Sequence, residues 1–315
     1  APATSLQRQS LTKSYCKGKG IMISPEALTA PPSLSSLDDV QVFWAQRWSG
    51  PKLGWHKDDV NPHLTKYTDL LLPSEGEDNN RIFVPLCGKS VDLAYLASHP
   101  KVSHVVGVDI VRSAAEEFAS DHPQFSLEEF QRNECEVETQ EEETCENADP
   151  SQLAMSSFHG EDLTILIGDL FDFLSMDSNE RAKYMTEGIS SIKSSVPTEY
   201  IFDTIYDRAS IVAIKPSLRK DYVTLMGELL KPGGVILLVT LDRRKTTTDA
   251  AKNDGPPFSI GEAEMRQLYE SQPWVESVTL LEEVNDLTTD GDRERWEKKG
   301  VLELYEIVFL IRKKK

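Results

Sequence analysis

Short apolar runs recur along the chain and alternate with stretches of helical character. The runs are rich in Val, Ile and Leu and contain few polar interruptions, as is typical of parallel strands buried on both faces. They predict strands at residues 81–86, 103–109, 163–168, 201–206 and 235–241. Helices are predicted at residues 90–98, 112–120 and 217–230, and Lys231-Pro232-Gly233-Gly234 ends the third. This alternation predicts an α/β fold with a parallel sheet.

The same pattern continues to the end of the sequence. A helix is predicted at residues 261–271, followed by strands at 276–283 and 302–311. Residues 36–72 are predicted to form a helical cover that precedes the first strand. We therefore expect residues 36–315 to fold as one domain with a doubly wound, Rossmann-like sheet.

Composition narrows the possible partners. The chain has 315 residues, with 34 Lys and Arg against 52 Asp and Glu, so its formal net charge is −18. Such an acidic chain lacks the positive field that a phosphate backbone requires, and no nucleic-acid partner is expected. No apolar run is long enough to span a bilayer, and no membrane partner is expected either.

Two segments differ from the rest in composition. Residues 126–149 contain ten acidic residues and one base, so we expect an acidic, partly disordered surface insertion at 126–160. Residues 1–35 are predicted to be a flexible, basic and Ser-rich tail or the remnant of a transit peptide. A cytoplasmic location is expected, with a plastid or mitochondrion as the alternative if the tail is such a remnant.

The four cysteines predict neither a metal centre nor a disulfide framework. They lie far apart, with no Cys-x-x-Cys pair and no nearby His: Cys16, Cys87, Cys135 and Cys145. Cys87 lies beside a glycine in the loop after the first predicted strand, and we expect it to be a small buried side chain.

The candidate chemistry lies in the loops that follow the first three strands. The loop Val84–Ser90 contains one glycine, Gly88, whereas a dinucleotide pyrophosphate requires Gly-x-Gly-x-x-Gly. Asp109 ends the second strand, where an acid in such sheets accepts hydrogen bonds from ribose hydroxyls. Asp169 and Leu170 follow the third strand and could hold an adenine ring. A nucleoside without a pyrophosphate is predicted, which favours S-adenosylmethionine over a nicotinamide cofactor.

Five motifs, in this order, resemble the successive signatures of the thiopurine S-methyltransferase family of class I S-adenosylmethionine-dependent methyltransferases. They are Trp44-Ala45-Gln46-Arg47-Trp48 with Trp55-His56, Val84-Pro85-Leu86-Cys87-Gly88-Lys89-Ser90, Val106-Gly107-Val108-Asp109, Tyr206-Asp207-Arg208-Ala209 with Val212-Ala213-Ile214, and Gly255-Pro256-Pro257-Phe258. The resemblance covers residues from about 40 to 311. It implies a seven-stranded sheet with an antiparallel last strand, and S-adenosyl-L-methionine as cofactor, with S-adenosyl-L-homocysteine as product.

The resemblance also implies two sets of site residues. Contacts with the cofactor are expected from Trp44, Trp48, Leu86, Gly88, Asp109, Asp169, Leu170 and Asp207. Contacts with the methyl acceptor are expected from Trp55, His56, Arg208, Pro257, Phe258 and Arg295. Arg208 is expected to be catalytic by favouring the ionised acceptor. Because it follows a buried strand, its cation should meet Asp207, Asp203 or an anionic ligand.

The expected function is in-line transfer of a methyl group to the sulfur of a small thiol or thiopurine-like acceptor by a monomer. Three alternatives stay open at this point. The family's related branch methylates halides, thiocyanate or hydrosulfide to volatile products. A catalytically silent scaffold could bind the cofactor alone, and a nicotinamide-dependent oxidoreductase is disfavoured by the missing glycines.

Overall fold

The computed structural model describes residues 37–50, 55–72, 80–131, 156–186 and 202–315. The predicted tail at residues 1–35 lies outside these ranges. Two helices precede the sheet: α1, Leu37–Trp48, and α2, Pro62–Leu71. They confirm that the predicted cover is helical, and the residues between them include Trp55 and His56.

Nine strands of the described chain form one mixed sheet. They are β1 Asn80–Pro85, β2 Val102–Asp109, β3 Glu128–Gln131, β4 Ser156–His159, β5 Leu163–Ile167, β6 Phe202–Arg208, β7 Leu230–Thr246, β8 Val275–Asn285 and β9 Val301–Lys313. Their spatial order is β3-β4-β5-β2-β1-β6-β7-β9-β8. The five central strands from β5 to β7 are parallel, and β9 is antiparallel to both of its neighbours.

All seven predicted strands are present and the last is antiparallel, but the predicted total of seven was wrong. The two additional strands, β3 and β4, pair antiparallel and extend the sheet beyond β5. Both lie within the predicted surface insertion at 126–160, of which residues 132–155 are not described. The high acidic content of this segment concealed two strands of four residues each. Charged side chains suit an edge strand such as β3, where they discourage pairing with another chain.

Eight further α-helices occur in the described ranges. They are α3 Val91–Ala97, α4 Arg112–Asp121, α5 Ser178–Thr186, α6 Ser210–Ala213, α7 Arg219–Leu229, α8 Asp249–Asn253, α9 Glu262–Glu270 and α10 Asp290–Glu297. The four helices predicted between and after the central strands are confirmed as α3, α4, α7 and α9. Across the described part of the chain, none of the helices has the length and apolarity that a membrane crossing requires.

The central strands are buried on both faces, which explains their uninterrupted apolar sequences. Along β1, Phe83 packs in the hydrophobic cluster on one face of the sheet. Its neighbours Ile82 and Val84 pack in the cluster on the other face. Alternate side chains therefore enter two cores, and neither face requires a polar residue.

A buried carboxylate joins the helical cover to the sheet. Asp92, at the start of α3, is 2% exposed. Its Oδ1 accepts a hydrogen bond from Asn61 N at 2.7 Å, and its Oδ2 accepts one from Tyr206 Oη at 3.0 Å. These bonds hold the start of α2 against β6. Within α2, His63 Nε2 lies 3.1 Å from Glu306 Oε2 on β9.

The sheet has a topological switch point between β1 and β6. From β1 the chain continues through β2, β3, β4 and β5, all on one side, whereas from β6 it continues to β7 on the other. Open α/β sheets bind their ligands at the carboxyl ends of the strands at such a point. Ser210 Oγ donates to Pro85 O at 2.7 Å and holds the two strand ends together there.

Candidate cofactor and acceptor site

The loop after β1 turns sharply and is anchored to the end of β2. Leu86 and Gly88 both have left-handed backbone angles, with φ of 45° and 50°. Cys87 N donates to Val108 O at 3.0 Å, and Gly88 N donates to Asp109 Oδ2 at 2.8 Å. Positive φ is easily adopted by glycine and is strained at leucine. The anchoring to β2 therefore stabilises a conformation that the loop alone would not favour.

Asp109 is the anchor of this loop and is itself buried, with 6% exposure. Its Oδ1 accepts a second backbone hydrogen bond, from Val111 N at 2.8 Å, which begins α4. Burial raises the pKa of Asp109 to about 6. A carboxylate oxygen can accept more than one hydrogen bond, so both oxygens retain acceptor capacity. The predicted ribose contact is compatible with this arrangement and stays a prediction.

Three tryptophans of the cover meet above the loop. The Trp48 indole lies directly over Gly88, where a Cβ atom would be 2.5 Å from Trp48 Cζ2. Trp55 packs edge-to-face against both Trp48 and Trp44, with ring centroids 5.8 and 5.9 Å apart. We call these three side chains the indole cluster. The structure therefore brings Trp44, Trp48, Trp55 and Gly88 together, although they are far apart in the sequence.

The residues predicted for the adenine follow β5. Asp169 Oδ1 accepts from Phe171 N at 2.9 Å and caps a short 3-10 helix, and burial raises the pKa of Asp169. Leu170 is 1% exposed and packs in the core.

Asp172 is a residue of this segment that the sequence analysis missed. Burial and the nearby Asp169 charge raise the pKa of Asp172 to about 6. Its Oδ2 is buried and has no hydrogen-bond partner among the described residues. An unsatisfied buried acceptor of this kind is typical of a position that awaits a donor. The available signal was a second carboxylate three residues after Asp169.

Asp207 is fully buried, and its carboxylate binds Ser210 and Tyr222 rather than Arg208. Its Oδ1 accepts from Ser210 N at 3.0 Å and its Oδ2 accepts from Tyr222 Oη at 2.7 Å. Burial raises the pKa of Asp207 to about 6. Both oxygens thus secure the turn into α6 and the contact with α7. The predicted contact between Asp207 and the cofactor stays a prediction.

Arg208 lies at the carboxyl end of β6 and is half-buried. Within the described ranges, no carboxylate oxygen lies within 4.0 Å of its guanidinium, so the expected ion pair with Asp207 or Asp203 is not formed. Asp203 instead pairs with Lys231 and Arg81. Arg208 Nη1 donates to Trp55 O at 3.1 Å, and its Nε is buried without a partner in this part of the chain. The sequence analysis expected Asp207, Asp203 or an anionic ligand as the partner of Arg208. Because neither aspartate pairs with it, the anionic ligand stays a prediction.

His56 lies next to the indole cluster, with its ring centroid 6.4 Å from that of Trp48. Its Nε2 is 3.7 Å from Asp58 Oδ1. Burial, followed by the charges of Lys89 and Arg208, lowers the pKa of His56. His56 is therefore neutral at pH 7 and retains a nitrogen that can accept a proton.

The loop that contains Pro257 and Phe258 is held by two buried arginines. Arg243 is 5% exposed, and its Nη2 donates to Pro257 O at 2.6 Å. Arg219 is 1% exposed, and its Nη2 donates to Phe258 O at 3.3 Å. The sequence analysis missed both arginines, because no local motif distinguishes a cation that binds backbone carbonyls from one that faces solvent.

Arg295 lies on α10, away from any direct contact with Arg208. Its Nη2 pairs with Asp292 Oδ1 at 3.1 Å, and its side chain is 40% exposed. The Arg295 guanidinium carbon is 5.6 Å from the centroid of the Trp296 ring. Its predicted contact with the acceptor stays a prediction.

Comparison with known proteins decides the family. A family model described as thiopurine S-methyltransferase matches residues 40–180 and 175–314. A thiopurine S-methyltransferase of Vibrio atlanticus is 32% identical over 269 residues, which are 85% of this chain and 96% of that protein. The chain belongs to the thiopurine S-methyltransferase family. A probable thiopurine S-methyltransferase of Yarrowia lipolytica is 30% identical over 243 residues, covering 77% of this chain and 89% of that one.

The fold is shared with solved methyltransferases. Phospholethanolamine N-methyltransferase 2 of Haemonchus contortus, in complex with phosphomonomethylethanolamine and S-adenosylhomocysteine, superposes with a TM-score of 0.50 at 12% identity. The superposition covers 90% of this chain and 59% of that chain. The Rossmann-like methyltransferase fold predicted from the sequence is thereby confirmed.

This member of the thiopurine S-methyltransferase family is an S-adenosylmethionine-dependent methyltransferase. Its residues fit that cofactor at Asp172, whose Oδ2 is a buried acceptor without a donor among the described residues.

We expect Gly88→Ala to weaken the binding of S-adenosylhomocysteine more than tenfold. The new methyl group would overlap the Trp48 indole at a left-handed backbone position, which costs about 1–2 kcal/mol of stability. Calorimetric titration and thermal unfolding measure the two effects. Gly291→Ala is the control, because a Cβ there meets no atom within 4 Å. Unchanged cofactor affinity in Gly88→Ala would contradict the predicted contact between this loop and the cofactor.

We expect Asp207→Asn to reduce the pH dependence of stability. The raised pKa means that, between about pH 4 and 6, the folded protein binds more protons at Asp207 than the unfolded chain. The contribution of Asp207 to the free energy of unfolding therefore falls as pH rises through this window, by roughly 1–3 kcal/mol. Urea unfolding at pH 4.5 and 7.5, with the exposed Asp221→Asn as control, measures this difference. If the free energy of unfolding depends on pH equally in Asp207→Asn and the wild type, the pKa of Asp207 is not raised by folding.

Proposed function

We propose that the protein transfers the methyl group of S-adenosylmethionine to the sulfur of a small thiol or thiopurine-like acceptor. The observation that supports this is the state of Arg208. Its half-buried guanidinium has no carboxylate partner in the described ranges and lies at the switch point of the sheet. A positive charge in that position favours the ionised form of a thiol bound beside it.

We assign the cofactor contacts by position along the carboxyl edge of the sheet. Asp169 and Leu170 would hold the adenine, and Asp109 would accept hydrogen bonds from the ribose hydroxyls. Leu86 and Gly88 would lie against the methionine part. Trp44 and Trp48 would cover it from α1.

S-adenosylmethionine supplies an electrophilic methyl group on a positively charged sulfur. The protein's contribution is to hold the acceptor sulfur in line with that methyl group, and such orientation contributes roughly 7–11 kcal/mol. The indole cluster excludes water, which leaves a thiolate poorly solvated and reactive. Neutral His56 would take the proton that an acceptor thiol loses. Arg208 then stabilises the resulting anion.

Arg208 also supports a second candidate, methylation of halide, thiocyanate or hydrosulfide. A cation without a carboxylate partner among the described residues would attract any of these small anions. The residues proposed for orientation would act in the same way, because the displacement at the methyl carbon has the same in-line geometry. The size of the acceptor distinguishes the two functions.

Transfer of labelled methyl groups tests both functions. The protein is incubated with methyl-labelled S-adenosylmethionine and, in parallel, a thiopurine, an aromatic thiol, iodide and thiocyanate. We expect label in the non-volatile methylated thiopurine or thiol. Label mainly in volatile methyl iodide or methyl thiocyanate would favour the halide branch. Cofactor binding without transfer to any acceptor would favour the scaffold.

We expect Arg208→Ala to lower kcat/KM for an aromatic thiol by about 100-fold, because a charge-assisted interaction with the anion is worth roughly 1.5–3 kcal/mol. Affinity for S-adenosylhomocysteine should change less than threefold. The pH profile of kcat should shift upward, since the pKa of the bound acceptor rises without the nearby cation. Arg208→Lys should retain part of the activity.

Arg244→Ala is the matched control for this substitution. Arg244 lies on β7 and pairs with Asp242 and Glu283 at the surface. If Arg208→Ala reduces cofactor affinity as strongly as acceptor turnover, the assignment of Arg208 to the acceptor is wrong.

A further inference from the structure

Three cations surround one buried indole beside the Pro257 loop. Trp296 is 6% exposed. The centroid of its ring lies 5.2 Å from the guanidinium carbon of Arg243, 5.6 Å from that of Arg295 and 5.1 Å from Lys299 Nζ. Contacts of this length between a cation and an aromatic ring are attractive. Three positively charged side chains therefore lie around this one indole.

A fourth cation extends this group toward the cover. Arg47, on α1, has its Nη1 3.5 Å from Pro256 O, next to the Pro257 carbonyl that Arg243 binds. Partial burial, followed by the charges of Arg295, Arg243 and Arg47, lowers the pKa of Lys299. Arg47 thus lies near enough to Lys299 to repel it, as Arg243 and Arg295 do. We call Arg47, Arg243, Arg295 and Lys299 the Trp296 cluster.

Little negative charge neutralises this cluster, although the chain as a whole carries a net charge of −18. Arg295 pairs with Asp292. For the other three members, the described ranges contain no carboxylate oxygen within 4.0 Å of a side-chain nitrogen. The Trp296 Nε1 is also buried without a hydrogen-bond partner in this part of the chain. Because the ion pair with Asp292 offsets only part of this positive charge, the cluster favours the binding of an anion.

The members of the cluster differ in their availability to a ligand. Arg243 is buried and donates to the carbonyls of Ala251, Asp254 and Pro257, so its role is to hold the loop. Arg47 and Arg295 are half-buried, and Lys299 is exposed. These three retain donors that solvent or a ligand can reach. The guanidinium groups of Arg47 and Arg295 match the geometry of a carboxylate or phosphate and can bind it in bidentate fashion, whereas the Lys299 ammonium adds a point charge.

We propose that Arg47, Arg295 and Lys299 form a subsite for an oxyanion, a carboxylate or phosphate group carried by the methyl acceptor. The subsite adjoins Pro256 and Pro257, the loop assigned to the acceptor wall. This inference rests on the proposed function, because the subsite specifies the charge of the methyl acceptor that the proposed function requires. Acceptors with an oxyanion substituent are therefore preferred over neutral acceptors of the same shape.

Paired acceptors test the subsite by equilibrium binding. In the presence of S-adenosylhomocysteine, calorimetry compares 4-mercaptobenzoate with its methyl ester, and a thiopurine nucleoside monophosphate with its nucleoside. The wild type should bind the charged member of at least one pair at least fivefold more tightly, and added salt should reduce that preference because it screens partly exposed charges. A preference confined to one pair identifies the group as carboxylate or phosphate.

Substitutions then locate the preference. Lys299→Gln should weaken binding of the charged acceptor about fivefold, and Lys299→Gln with Arg47→Gln more strongly, while binding of the neutral member stays unchanged. Lys298→Gln is the control, because Lys298 is the adjacent residue, is 72% exposed and pairs with Glu294 at 2.7 Å. Equal affinity for charged and neutral acceptors in the wild type would overturn the proposal. So would equal losses in Lys298→Gln and Lys299→Gln.

Turnover is measured separately, so that the two proposals can fail independently. Methylation of both members of a pair with equal affinities would sustain the proposed function and overturn the subsite. Binding that requires an oxyanion and Lys299, without methyl transfer to any thiol, would sustain the subsite and overturn the proposed function.

Discussion

The hydrogen bond from Gly88 N to Asp109 Oδ2 links the elements on which the rest of the site depends. It joins the loop after β1 to the end of β2 and holds the left-handed conformation at Gly88, over which the Trp48 indole lies. Trp55, packed against that indole, accepts a hydrogen bond from Arg208 through its carbonyl. One buried carboxylate thus anchors the loop, and the loop in turn contacts the cover, which binds Arg208.

Most of the sheet could be predicted because its strands are buried on both faces. An uninterrupted run such as 81–86 reflects two cores, and no polar face obscures the pattern. β3 and β4 could not be found in this way, because Glu128 and Glu129 lie on an edge strand whose charges resemble those of a solvated loop. Burial of Phe158 against the second core, not local composition, identifies this pair of strands.

Residues of the candidate site could be singled out from the sequence where backbone geometry imposes a residue type, and much less so where a side chain binds a distant part of the chain. Gly88 and Asp109 follow strands at fixed points, so short motifs reveal them. Arg219 binds the carbonyl of Phe258, 39 positions away, and Arg243 binds that of Pro257, 14 positions away. These arginines resemble ordinary surface cations until the chain is folded. The same holds for Asp172, whose unsatisfied oxygen becomes evident only through burial.

The indole cluster gives the protein an intrinsic optical probe. Three of its five tryptophans lie in the cover, with edge-to-face neighbours at 5.8 and 5.9 Å. Transitions of aromatic rings so close together couple electronically and give near-ultraviolet circular dichroism that is sensitive to their mutual angles. Because Trp48 contacts Gly88 directly, displacement of α1 would change this signal. The position of the cover can therefore be followed in solution without attaching a fluorophore.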